Sequence, residues 1–539
     1  VGGGYAPMRT PTVEELRRTN TKYQDRASSW KLFLSIYKGV DSLLKNGYIP
    51  KHEREPQSAY ERRIKELYSF GYSKSVVKIL TFHLFNKPPI GRQLKALESN
   101  KIWEMFFRDS NLQGDHYDLV LRHISLYASI LGHMGVLVDK GQGFYQTKKE
   151  QKDAKIYPYI ASYQPPAILD WEWGINENKR PVLKMVKLLD DDGTYRIWTE
   201  QEWGTFIIEK STTNAGSNTN PNIGVPVVNI NGPGPERKVS IGMGMEQVKP
   251  VASGINPLKE VPFFWFYNLK TEDNFIGESD IEDIARTDLS VIKNTSQIEE
   301  IINFAAFPMM LKPRLPADPS KSQQSVQEDE VSVQIIQEYD PEYPESKPEW
   351  MKPEVESAVR AILDTISKKV QEIYRAANIG GITSTEVSTQ AKSGVALKTE
   401  FQMLNSNLVS KAINLEKAEN KILEFFLKWE MLWDELKNEV HFGRSKNFDV
   451  QEISVDLANA LTAKTVVMSD TFNALLQKQT ARQVLPSMSE DEQMVIDKEI
   501  EQSIQKKSEV TVTEQMDQED PETQAIMDKG MGAEQEIEE

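Results

Sequence analysis

Cysteine is absent from the whole chain. Its absence excludes disulfides, thiol nucleophiles and cysteine-ligated zinc, and it agrees with a reducing compartment. No apolar run approaches the roughly 20 residues that cross a bilayer, so no membrane span is expected. Positive charge is in deficit, with 64 Lys and Arg against 80 Asp and Glu, a net charge of -16. A general grip on nucleic acid works by neutralising phosphates, so this balance argues against one and leaves room only for local basic patches. The G-x-x-x-x-G-K-S/T phosphate loop does not occur, which removes the commonest nucleotide site. Nor does a secretory leader open the chain; the first residues, VGGG, read as a processing scar and are set aside.

What is present is a folding composition, 39% hydrophobic and 9% aromatic over 539 residues. That length is too great for one ordinary core, so several packed subdomains are expected. Residues 13–46 and 57–85 read as helices, the second with Tyr60, Ile64, Leu67, Val76, Val77, Leu80 and Leu84 on one face. A further amphipathic helix is expected over 112–131, followed by a short apolar strand at GVLVDKGQG. From Ile156 to Trp173 and from Val182 to Lys210 the runs are β-prone, with DDDG at 190–193 as a tight turn. Residues 211–258, rich in Gly, Asn, Pro and Ser, read as a mobile surface insertion. VPFFWFYNL at 261–269 then returns as a buried strand.

The central region carries two matched helical patterns. In the first, Ile281, Ile284, Val291, Ile292, Ile298, Ile302 and Ala305 mark one face, Ser279 can cap and Pro308 ends the run. In the second the stripe is Val355, Val359, Ile362, Ile366, Val370, Ile373 and Ala377, with Pro353 at the favoured first position. Between them lies a Pro-rich excursion, 307–352, in which VSVQIIQ alternates as a strand, so the pattern is a stalk with a β tip. After NIGGITSTEVSTQAKSG at 378–394, a stripe from Leu397 through Phe401, Leu404, Leu408, Ala412, Leu415, Ile422, Phe425 and Trp429 to Leu436 predicts a very long helix. Smaller helices are expected at 456–485 and 489–507, and the acidic, aromatic-free tail reads as disordered.

No catalytic constellation emerges. Gly380-Gly381 with Lys392 is a poor phosphate cradle, because the lysine does not follow a glycine at the required spacing. Thr389 with Lys392 lacks the companion motifs of a nucleophile and its base. Asp190, Asp191 and Asp192 are better explained by a solvated turn than by a cation, and Gln327-Glu328-Asp329-Glu330 by a solvated loop. His116, His123 and His133 have no metal-ligand spacing and read as surface or boundary residues. Trp171 with Trp173, and Trp429 with Trp433, read as core or interface. No cofactor, metal site or enzymatic activity is expected.

One ordered set of segments resembles a known family. YIPKHEREPQSAYERRIKELYSF at 48–70, KSVVKILTFHLFNKPP at 74–89, GHMGVLVDKG at 132–141, YPYIASYQPPAILDW at 157–171, GESDIEDIARTDLS at 277–290 and the long run AKSGVALKTEFQMLNSNLVSKAINLEKAENKILEFFLKW at 391–429 resemble the portal, or head-to-tail connector, proteins of tailed bacteriophages, especially a branch common in prophages. The resemblance spans roughly residues 30–435 and lies in the order of the segments. It implies an α+β, mainly helical chain built as wing, stem, clip and crown in a ring oligomer, typically of twelve subunits. The ring would sit at one capsid vertex, where DNA enters and leaves.

On that resemblance residues 1–277 are the wing, 278–306 and 353–377 the stem helices, 307–352 the clip, 378–391 the tunnel loop, 392–437 the long wing helix, 438–508 the crown and 509–539 the tail. Thr383, Ser384, Thr385, Glu386, Ser388, Gln390 and Lys392 would face double-stranded DNA, read without sequence specificity. Gln327, Glu328, Asp329 and Glu330 would dock partners: terminase first, then the head-tail adaptor. Major capsid or scaffolding protein is a further implied partner, and the location is the virion, after synthesis in the host bacterial cytoplasm. The competing expectations are a non-viral helical scaffold and a phosphotransferase using the Gly-rich loop.

Overall fold

A computed structural model describes residues 8–86, 94–141, 147–210, 246–306, 309–313, 336–339, 347, 349–351, 355–379, 394–446, 448, 474–475, 477–478, 480–481 and 492–503. The chain divides into two compact units, Val1–Phe448 and Asp449–Glu539. The first is a mixed α+β assembly, mainly helical, with largely antiparallel sheets. In the second, the described residues are helical pieces at 474–475, 477–478 and 480–481 and a helix over 492–503, tied by Lys478 to Glu501.

The expected helix at 13–46 is four short ones: α1 (Val13–Arg17), α2 (Thr21–Gln24), α3 (Ala27–Lys38) and α4 (Val40–Lys45). Thr12 and Glu15 form a reciprocal cap on α1, and Asn20 caps α2, so polar residues inside the run start new helices. Gly39, at φ +99°, breaks the run again between α3 and α4. The second run is likewise split, into α5 (Gln57–Lys65) and α6 (Tyr72–Asn86), by Gly71 at φ +67°. After α7 (Lys95–Glu98) and α8 (Lys101–Arg108), α9 (Tyr117–Leu131) starts five residues later than the expected 112, because His116 accepts the Asp118 amide as its cap.

From α9 the chain enters β1 (His133–Lys140), and β2 (Pro158–Tyr163) follows the short helix α10 (Lys148–Asp153). β3 (Ile168–Ile175), β4 (Pro181–Leu189), β5 (Tyr195–Thr199), β6 (Glu202–Lys210) and β7 (Glu246–Ile255) form one antiparallel five-stranded sheet in sequential order. The expected insertion over 211–258 is therefore shorter at its end: 246–255 is strand, and 211–245 lies outside the described residues. As an edge strand β7 carries Pro250 and a bulge beside it, which blunt further pairing. β8 (Phe263–Tyr267) pairs with β1, completing the order β2-β1-β8, and β9 (Leu269–Lys270) pairs with β10 (Gly277–Glu278). Asp190 accepts from Tyr163 and Arg196, and Arg196 also holds Asp139, so the β4–β5 turn is latched to β1 and β2.

The helix expected over 278–306 is α11 (Ala285–Ala306); Ile281 and Ile284 are buried in the turn before it, and Ile302 is exposed, not buried with the stripe. β11 (Met309–Pro313), β12 (Ile336–Tyr339) and β13 (Glu349–Met351) form a small sheet in the order β12-β11-β13. Next comes α12 (Glu356–Ala376), which begins three residues after Pro353, so that proline is not its first residue. α13 (Gly394–Trp429) is the long helix, buried at Leu404, Leu408, Ala412, Leu415, Ile422 and Phe425. It ends at Trp429, short of the expected 437, because Met431 turns left-handed at φ +57°. The Leu432 amide then bonds Leu427 and the Met431 amide bonds Lys428, a Schellman stop before α14 (Trp433–Leu436). Residues 440–448, expected with the crown, belong to the first unit, where Val440, Phe442 and Phe448 are buried.

Two glycine exchanges of opposite sign follow from these backbones. Gly132 has φ +88°, and a Cβ there would lie 2.0 Å from the Gly277 carbonyl oxygen. Gly132→Ala is expected to cost about 3 kcal/mol, read as a lowered urea midpoint. Met431→Gly relieves left-handed strain on an exposed residue and is expected to add about 1 kcal/mol.

Candidate functional site at the base of the helix pair

None of the residues singled out from the sequence for DNA or partner contact, 383–392 and 327–330, is among the described residues. What is described is the frame that brackets them. α11 and α12 run antiparallel: Asp283 and Ile284 share a cleft with Ala376–Asn378, while further along Lys369 donates to Ser290 at 2.8 Å. At the end of α12 the Ile379 amide bonds Tyr374 and the Asn378 amide bonds Arg375, with Asn378 left-handed at φ +56°. That is a second Schellman stop, sealed by the buried Ile379. The chain therefore leaves α12 at Asn378. The signal was an Asn before an apolar residue, which the adjacent glycine pair obscured.

The cleft has a volume of about 450 Å³ and lies between the 278–284 turn, the end of α12 and the first half of α13. Its floor is a buried polar cluster. Asp280 accepts from Ser129 and Lys411 on one oxygen and from Asn268, at 3.0 Å, on the other. Lys411 and Asp280 side chains are 4% and 2% exposed. Asn268 also donates to the Glu278 carbonyl, its amide bonds Gly132, and its own carbonyl accepts from Asn414. Ser279 does not cap α11 directly; its hydroxyl accepts the Ile281 amide and reaches the last carbonyls of α9 at Ser129 and Ile130. Above this floor Glu278 and Asp283 line the cleft. Burial, then the neighbouring Glu282, Asp283 and Asp280 carboxylates, raises the Glu278 pKa. The cleft is thus lined by carboxyl side chains.

Directly beneath lies His133, expected at a surface or boundary and found fully buried. Both ring nitrogens are satisfied, which is what permits its burial. Nδ1 accepts the Gly277 amide at 3.3 Å, so the neutral ring carries its proton on Nε2, 2.5 Å from the Tyr23 hydroxyl. The Tyr23 oxygen also receives Trp265 Nε1–H at 3.0 Å, and its own proton goes to the Phe275 carbonyl at 3.1 Å. A second proton on His133 would face the Gly277 N–H. Burial pulls its pKa down to about 3, with Arg26 adding to the shift and Asp273 opposing it. His116 and His123 are exposed, as expected.

The other flagged residues are structural. Asp192 accepts the Thr194 amide and Asp190 is held by Arg196, which is turn and latch chemistry. Trp171 is buried, Trp173 stacks at the surface on Trp265, and Trp429 donates to the Val138 carbonyl at 2.8 Å. Among the described residues no group of three or more His, Asp or Glu side chains is placed to hold a metal ion, and no helix is long and apolar enough to cross a membrane.

Removing one member of the floor leaves a buried charge. Lys411→Met is expected to cost about 3–5 kcal/mol, and adding Asp280→Asn to recover most of it, both measured by urea unfolding. His133 sets a pH dependence. Its folded pKa lies below the unfolded 6.5, so its contribution is complete above pH 6.5 and declines as pH falls toward 3, by up to about 1.4 kcal/mol per unit. Unfolding curves of His133→Gln are expected to lose that slope.

No protein-family model and no curated protein match the chain. Among solved structures it is similar to a chain of the virion of a native gene transfer agent (GTA) particle. The sequence identity is 10%, the match covers 82% of this chain and 98% of that chain, and the TM-score is 0.39.

Proposed function

We propose that the chain is one subunit of a portal ring, set at one vertex of the capsid of a phage or phage-like particle, through which double-stranded DNA is packaged and ejected. The observation that carries the reading is the helix pair. α11 and α12 run antiparallel for 22 and 21 residues, and a three-stranded sheet is placed in the sequence between them. Both leave a helical and β body that the long α13 crosses. A stem, a clip and a wing are the parts this division supports, and the order of resembling segments along residues 30–435 supports the same assignment.

On this reading the 378–391 span is the loop that meets DNA, and Thr383, Ser384, Thr385, Glu386, Ser388, Gln390 and Lys392 line the channel. Repetition around an axis turns one Lys392 per chain into a ring of positive charge, offset by Glu386. A conduit must release every phosphate it touches, so small hydroxyls and balanced charge suit passage better than a tight basic site. The chain performs no catalytic step on this reading; the energy for packaging comes from a separate nucleotide-driven terminase docked on the clip, where Gln327 to Glu330 lie, and the head-tail adaptor later takes that place.

Electron-microscope class averages of the purified full chain test the proposal. A hollow ring of high rotational symmetry is expected, with about twelve subunits on the family pattern. A compact monomer at all concentrations would sink it.

A further inference from the structure

The α5–α6 turn presents an aromatic knob. Phe70 is 56% exposed and Tyr68 41% exposed. Their rings meet edge to face at 5.4 Å, Phe70 leans on Tyr72 at 5.7 Å, and Tyr72 meets Tyr374 of α12 at 6.0 Å. Phe70 is therefore braced on both sides in an outward position, with the left-handed Gly71 making the turn that holds it there. An exposed, pre-set aromatic of this kind is the usual anchor of a protein interface. Beside it Glu66 accepts from Asn303 and Glu299 from the Tyr68 hydroxyl, so two carboxylates flank the knob with neutral donors as their hydrogen-bond partners.

The opposite flank of the same helix pair carries a groove of about 490 Å³, bordered by Arg286, Thr287, Ser290, Thr365, Lys368 and Glu372. Helix geometry fixes the relation between the two. Residues two apart on a helix point about 200° apart. Asp288 of α11 faces the knob side, where it accepts the Ser73 amide, whereas Arg286 and Ser290 face the groove. Tyr374 of α12 likewise faces the knob side, and Glu372, two residues before it, faces the groove. Knob and groove thus lie on opposite sides of α11 and α12; Tyr72 is level with the groove, and Glu66 and Tyr68 reach about 14 Å or more further along α11, to Asn303 and Glu299. Among the described residues no ion pair engages Arg286 or Lys368, and cations at a groove mouth attract an aromatic face.

The geometry points to a head-to-tail contact between copies of this chain, in which Phe70 of one copy enters the α11–α12 groove of the next and lays its ring against Arg286 and Lys368. A knob and a groove on opposite flanks make a heterologous contact, the kind that closes a ring when the rotation relating successive copies closes. The inference rests on the portal-ring reading and supplies the surface that would build it.

Because the chain has no cysteine, a paired Phe70→Cys and Thr365→Cys variant tests the contact directly. Mild oxidation is expected to give a ladder of covalent multimers on denaturing gels, and either single variant none. Phe70→Glu is expected to lower the fraction of chain in rings at least tenfold while leaving the urea midpoint unchanged, since the residue is exposed. If the parent forms rings but the double variant gives no ladder, or Phe70→Glu assembles like the parent, the contact is overturned and the ring stands. A Phe70→Cys chain that crosslinks to itself also overturns it, because that contact is two-fold. A parent chain that stays monomeric overturns the ring and this contact together.

Discussion

Everything in the larger unit turns on one close crossing of backbones. Gly132, at the end of α9, and Gly277, at the start of the turn into α11, approach so nearly that a Cβ on either would strike the other's carbonyl oxygen. Around that crossing each polar group is claimed. Asn268, Ser129, Ser279, Asp280 and Lys411 share bonds from the α9 end, the β8 end, the α11 start and the middle of α13. A buried ion pair of this kind contributes little net stability, but its loss leaves an isolated charge, so it fixes one register among many apolar alternatives. The direction in which α11 leaves the body is set here.

The long helix is fixed by repeated ties along its length. Lys411 and Asn414 grip the crossing, Glu419 holds the buried Arg444 at 2.5 Å and 2.8 Å, and Glu430 meets Lys140 at 2.9 Å with Gln151 beside it. From Lys411 to Glu430 is roughly 28 Å of helix. The apolar stripe would tolerate a slide of one turn; the polar ties do not. A helix pair that leaves a locked base keeps a fixed position relative to the body.

Much of this fold was legible in the chain. The stripes of α11, α12 and α13, the β8 strand and the Asp190 turn between β4 and β5 follow from periodicity and turn chemistry that act within a few residues. The misreadings share a cause. Arg18 to Asn20, Gly39 and Gly71 interrupt runs whose apolar spacing looks continuous, because a stripe records which face is buried and not whether the backbone beneath it is unbroken. The stops at Asn378 and Met431 escaped because residues other than glycine took the left-handed position. His133 was misjudged for another reason: its burial depends on Tyr23 and Gly277, more than 100 residues away on either side.

The sequence by itself determined the class of the chain, its helical and β segments, the matched helix pair and the absence of thiol chemistry. These are properties of composition and local pattern. The tertiary structure alone decided which polar residues would be buried together and which aromatics would be left outside. Lys411, Asp280, Asn268 and Ser129 have no shared spacing, and Phe70 differs from any core phenylalanine only in what covers it. Desolvation and hydrogen-bond partnership are set by residues distant along the chain, so the acidic cleft, the locked crossing and the knob with its groove exist only once the backbone has brought those residues together.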